Sequence, residues 1–155
     1  MSALSARGLS AIPEVRAGDD IAELIVAALD GEPLRTGQVV AIVHTVVSKA
    51  EGAVVALADV HAGRRALALA GEQGKDPRVV QVVLDESSEI LRAERDVLIC
   101  RTRNGLVCAN AGVDASNAGL PGTLVLLPRD PDASARRIRA RLRELSGRRG
   151  ANDPG

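Results

Sequence analysis

The sequence predicts an α+β domain, a mixed sheet carrying several helices, and three observations predict it. Gln38-Val39-Val40-Ala41-Ile42-Val43 is an almost continuous β-branched run behind Gly37, the pattern of a central strand buried on both faces. Residues 21–29 and 131–145 carry apolar side chains at helical spacing behind acidic caps. Asn104-Gly105 sits between two apolar runs, a strong hairpin signal.

Taken in order, Leu4 to Ser10 reads as a first strand, ended by Pro13 in a short loop. Asp20 is placed to cap a helix, with Glu23 three positions on as in a capping box. Ile21, Leu24, Ile25, Ala28 and Leu29 give its buried face, and Gly31 is expected to close it. Val54 to Ala58 is a short apolar segment, and Arg64 to Gln73 has the Ala and Leu content of a helix. Asp76-Pro77 opens another, cap followed by Pro at the first helical position, which Asp85-Glu86-Ser87 ends. Ser88 to Ala93, Val97 to Arg103 and Leu106 to Ala111 follow as apolar runs, then Thr123 to Leu127 as a last strand. Asp130-Pro131 opens a helix through Leu145, with Ile138, Leu142 and Leu145 on one face and arginines on the others. Residues 146–155 lose all periodicity and are expected to be a disordered tail behind a single domain of residues 1–145.

Composition narrows the function classes. A chain of 155 residues is long enough for one domain with a core and too short for two ordinary ones. With no Phe, Tyr or Trp, the core is aliphatic and single-stranded nucleic acid has no stacking platform. Formal net charge is zero, which argues against a nucleic-acid partner, although residues 129–149 hold eight arginines against three acids. Five of those arginines are explained as the wet sides of an amphipathic helix. Cys100 and Cys108 sit in apolar runs without zinc spacing and read as reduced core thiols. No apolar window of membrane-spanning length and no signal-peptide pattern occurs, so a cytoplasmic protein with no membrane partner is expected.

Two stretches carry candidate chemistry. In Gly105 to Gly119, small residues crowd around Asp114, Ser116 and Asn117. A carboxylate there suits a hard divalent cation, and an amide can bond an oxygen of the same ligand. Asp, Ser, Asn and Gly are also the commonest turn residues, so a plain polar turn explains the segment as well. In the second stretch His44 and Thr45 leave the predicted strand end, and Ser48-Lys49 follow, so that a cation and hydroxyls would project from a sheet edge. An ammonium neutralises phosphate without needing a fixed fork.

Together with Gly8 to Val15, Gly18-Asp19-Asp20, Val46 to Gly52 and Pro128 to Ala135, these stretches resemble the coenzyme F-420:L-glutamate ligase family, in family order and over most of the chain. The resemblance implies a GTP-dependent enzyme of coenzyme F-420 biosynthesis. Such an enzyme passes the terminal phosphate to the carboxylate of F-420-0 and lets the amine of L-glutamate attack the acyl phosphate. It implies nucleotide contacts at Ile12, Pro13, Glu14, Val15, His44, Lys49 and Asn117, and a divalent metal, Mg²⁺ or Mn²⁺, on Asp114. GTP, F-420-0 and L-glutamate are the implied ligands, with a monovalent cation such as K⁺ as a further cofactor and a homodimer as the assembly. No side chain is assigned a catalytic role. The family continues past the helix of Asp130 to Leu145 into a strand with an Asp-Thr motif that supplies another metal ligand. That motif does not occur after Leu145, so the fold is expected to be incomplete at the C-terminus. The expectation is a truncated copy that binds metal-GTP weakly and turns over little. The alternative is a non-catalytic nucleotide-binding module or subunit that needs a partner chain.

Overall fold

A computed structural model describes residues 4–94, 97–115 and 121–151. The described residues form helices α1 (Ile21–Ala28), α2 (His44–Ala50), α3 (Arg64–Gln73), α4 (Pro77–Glu86) and α5 (Pro131–Ala151). Their strands are β1 (Val54–Ala56), β2 (Ser87–Glu94), β3 (Val97–Thr102), β4 (Val107–Ala109) and β5 (Thr123–Val125). The class is α+β as expected. The strands divide into two small antiparallel sheets, β1-β5 and β2-β3-β4, in place of one mixed sheet.

Two apolar clusters hold the molecule. α1, α2 and α5 enclose Ile21, Ala22, Ile25, Val26, Val47 and Leu142, with Ile138 and Leu145 packed against them. α3, α4 and the three-stranded sheet enclose Ala66, Ala70, Val80, Val83, Leu98 and Cys100. With no aromatic ring available, each cluster depends on close fitting of small side chains.

The capping chemistry forms largely as read. The Asp20 carboxylate accepts from the amides of Ala22 and Glu23 and starts α1. Asp76 accepts from the amide of Arg78 and starts α4 with Pro77 in its first turn, and Asp130 accepts from that of Ala133 at α5. Glu23 does not complete a capping box; its carboxylate takes the guanidinium of Arg141 at 2.5 Å. Gly31 is not the closing residue of α1. Asp30 takes the left-handed conformation at φ 47° and Gly31 follows it, because a short polar side chain tolerates that region.

The Asn104-Gly105 signal gives the β3-β4 hairpin through a three-residue loop, with Gly105 at φ 81° and the Thr102 amide donating to the Leu106 carbonyl. Two predicted strands do not form. Leu4 to Ser10 has no ladder partner among the described residues, and Arg7 instead ion-pairs with Glu32. Gln38 to Val43 is likewise outside both sheets, with Val39 91% exposed. β-branching favours extended backbone, but a strand also needs a neighbour to receive its hydrogen bonds; here only Ile42 reaches the α1-α2-α5 cluster. The helix read as ending at Leu145 continues to Ala151, so residues 146–151 are helical where a disordered tail was expected.

Candidate functional site

The loop of residues 12–18 is seated on the end of α2. The Gly18 amide donates to the Ala50 carbonyl at 2.9 Å, and Gly52, at φ 71°, has Ala17 beside it. This seating lays the Ile12 to Val15 segment along α2. Val15 is buried, Ile12 is half-buried against the apolar cluster, and Pro13 and Glu14 face solvent. The Glu14 carboxylate then accepts from the Lys49 ammonium at 2.6 Å. Two segments far apart in sequence, each expected to touch a nucleotide, therefore meet.

His44 begins α2, so it does not leave a strand end as expected. Its Nδ1 is buried and has no hydrogen-bond partner, and the same is true of the Ser48 hydroxyl one turn later. Such groups carry a desolvation cost of about 1–3 kcal/mol each, which a bound donor or acceptor would relieve. The hydroxyls of Thr45 and Ser48 do not project from an edge; both residues are buried, because helical spacing turns positions 45 and 48 toward the core.

Asp114 is placed by an unusual turn. Asn110, Ala111 and Gly112 all have positive φ, at 48°, 53° and 73°. A left-handed conformation costs a non-glycine residue roughly 1–2 kcal/mol, so this turn is held by its surroundings. Asn110 Oδ1 accepts from Lys75 Nζ at 3.3 Å and from the Leu98 amide at 3.4 Å. Ala111 is buried under the sheet. Strain of this kind collects at functional sites. The turn delivers Asp114 to β5, where its amide and carbonyl pair with those of Val125. Val125 also pairs with Val54 of β1, so Asp114 lies one strand beyond β5, two strand spacings or about 10 Å from β1. Asn117, the remaining candidate nucleotide contact, lies outside the described residues, as does Ser116.

The described residues do not complete a metal cage. No group of three His, Cys, Asp or Glu able to hold an ion occurs among them, so Asp114 would bring one carboxylate where Mg²⁺ wants about six oxygens. Neither Asp114 nor Lys49 is among the described residues lining a cleft of about 1000 Å³ that runs past Glu51, Glu86, Arg103 and Arg129. Cys100 and Cys108 are free thiols directly opposite each other on β3 and β4. Burial first, and then the neighbouring Cys100, push the Cys108 thiol up, which suits an inert packing role.

Comparison with known proteins decides the family. The sequence pattern described as F420-0:gamma-glutamyl ligase matches residues 10–151. The chain belongs to the F420-0:gamma-glutamyl ligase family. Its relatives include the coenzyme F420:L-glutamate ligase of Methanopyrus kandleri, 54% identical over 134 residues, 86% of this chain and 52% of that protein. That of Methanothermobacter thermautotrophicus is 47% identical over 147 residues, 94% of this chain and 58% of the relative. That of Archaeoglobus fulgidus is 42% identical over 138 residues, 89% and 53% respectively. This ligase-family chain thus spans about half the length of the curated relatives it matches. The match includes the 12–15 loop, α2 and Asp114. No helix of the described residues is long and apolar enough to cross a membrane.

The contact between Glu14 and Lys49 was not legible in the family pattern, since no residue signal couples positions thirty-five apart. The left-handed turn had a faint signal, Asn-Ala-Gly, in which two of three residues tolerate positive φ.

Proposed function

We propose that the chain carries the nucleotide-binding part of a GTP-dependent ligase that adds L-glutamate to F-420-0. The observation that supports this most is the family match over residues 10–151, which spans every candidate contact. In the proposed reaction an oxygen of the F-420-0 carboxylate attacks the terminal phosphorus of GTP, giving an acyl phosphate and GDP. The amine of L-glutamate then attacks the acyl carbon, and phosphate leaves as the amide forms.

The protein's task in such a transfer is positioning and charge neutralisation. The 12–15 loop and Asn117 would seat the nucleotide, and Lys49 would exchange Glu14 for a phosphate oxygen. His44, whose Nδ1 lacks a partner, would bond a phosphate or ribose oxygen. Asp114 would contribute one oxygen to a divalent ion, which when bound supplies charge neutralisation at the phosphates. A K⁺ ion, a homodimer and a cytoplasmic setting belong to the same proposal. A second reading, a nucleotide-binding module without ligase activity, is favoured by the described residues, which include no group of three His, Cys, Asp or Glu able to hold an ion.

Incubation of the chain with GTP, Mn²⁺, F-420-0 and L-glutamate separates the two. Slow formation of a product heavier by one glutamyl residue, with equal GDP and phosphate, is expected of the ligase. GTP binding with no product would favour the module. Product formed without nucleotide, or with AMP as by-product, would contradict the acyl-phosphate route.

A further inference from the structure

We infer that the 1000 Å³ cleft between the β3-β4 hairpin and the β5-α5 connection is a site for a free amino acid with an acidic side chain, held by Glu86, Arg103 and Arg129. On the ligase reading, on which this identification rests, the occupant is the acceptor L-glutamate.

Among the described residues, six charged ones line the cleft: Glu51, Glu86, Arg103, Arg129, Asp130 and Arg137. Three are already engaged. Glu51 accepts from Arg137 at 2.6 Å and from the Ser134 hydroxyl at 2.5 Å, and Asp130 caps α5. Glu86, Arg103 and Arg129 form no ion pair among the described residues, although they share one cavity. Two guanidinium groups and one carboxylate are thus left facing the cleft.

The three residues line one cleft. Glu86 ends α4 and Arg103 follows β3, and their chain neighbours Ser87 and Thr102 pair at the end of the β2-β3 ladder, which brings the two backbones to the same end of the sheet. The Asn104 side-chain amide donates to the Pro128 carbonyl at 3.4 Å. That bond ties the hairpin turn to the β5-α5 connection and brings Arg129, next to Pro128, to the same wall as Arg103. Clefts between packed lobes with a few convergent polar groups are where small ligands bind.

The charge pattern selects the ligand. Each guanidinium can take one carboxylate through paired N–H groups, and the carboxylate of Glu86 can take an ammonium. A ligand with two carboxylates and one ammonium matches all three. A nucleotide offers no cation for Glu86, and a monocarboxylate leaves one guanidinium unmatched.

The test titrates L-glutamate, glutarate (no ammonium) and 4-aminobutyrate (no α-carboxylate) into the 155-residue chain, followed by NMR or calorimetry. The variants are Arg103→Ala, Arg129→Ala and Glu86→Gln. L-glutamate is expected to bind more tightly than either analogue, and each variant to weaken it by about tenfold. Glu86→Gln is expected to leave glutarate binding unchanged. Arg103 and Arg129 are exposed, so their removal leaves the core intact, and unfolding midpoints check this. Absence of L-glutamate binding, or wild-type binding by any of the three variants, overturns the assignment. The titration contains no nucleotide, metal or F-420-0. Glutamate binding without turnover would therefore sink the ligase reading alone, and turnover with variant-insensitive binding would sink this one alone.

Discussion

The Lys49 ammonium lies 2.6 Å from the Glu14 carboxylate, joining the loop before α1 to the last turn of α2. Lys49 is mostly covered, with its side chain 15% exposed, whereas that of Glu14 is 66% exposed. The carboxylate is therefore the member free to move away, and the ammonium is the fixed one.

That asymmetry predicts opposite effects on nucleotide affinity. Lys49→Ala is expected to weaken GTP binding at least tenfold, the worth of a charged hydrogen bond. Glu14→Gln removes the competing charge and is expected to leave GTP binding equal or tighter. Glu14 is the exposed member, and a glutamine there keeps an oxygen to accept from the ammonium, so Glu14→Gln should change stability by no more than about 0.5 kcal/mol. Parallel GTP titrations and urea unfolding check both.

Asp20 makes stability pH-dependent. Burial pushes its carboxyl up, but the Arg141 guanidinium and the amides of Glu23 and Ala22 outweigh it and hold the group below its ordinary 3.8. A group whose folded pKa is depressed stabilises the fold above the unfolded value and loses that contribution as pH falls through the folded one. Wild type should therefore weaken below about pH 4. Asp76, held low by the Arg78 side chain and amide, contributes in the same window. Asp20→Asn keeps the cap acceptor and should show a smaller acid loss. Asp20→Ala should cost about 1 kcal/mol at neutral pH. Urea midpoints at neutral and acid pH would reveal a contradiction if Asp20→Asn matched wild type at every pH.

Gly112 is the tightest point behind Asp114. A Cβ there would lie 2.7 Å from Leu127 and would sit at φ 73°. Gly112→Ala should cost roughly 2–3 kcal/mol from overpacking and left-handed strain together. Combining it with Leu127→Ala should cost less than the two single losses added, because the clash disappears. Strict additivity in thermal unfolding would contradict the contact.

The parts of the fold legible in sequence were those fixed by neighbours in the chain. Asp20, Asp76 and Asp130 each bond an amide two or three positions on, and Asn104-Gly105 needs only its own turn. What depends on distant partners was not legible. The β-branched run of Gln38 to Val43 has strand propensity, yet the structure places no strand beside it among the described residues. Arg141 appeared as one arginine on a wet helix face. It is in fact the link between α5 and the start of α1, bonding Asp20 at 2.8 Å and Glu23 at 2.5 Å. For the site, residue types were readable but their grouping was not. Glu14 meets Lys49 where the Gly18 amide docks the loop on Ala50, a contact between segments distant in the chain.

Calorimetric titration of Mn²⁺-GTP into wild type and Asp114→Asn asks whether the Asp114 carboxylate and the Lys49 ammonium serve the metal and the phosphates of one nucleotide. Asp114→Asn is expected to lose the metal-dependent part of binding while remaining folded, since the backbone pairing with Val125 survives. Wild-type affinity for Mn²⁺-GTP in Asp114→Asn would contradict it.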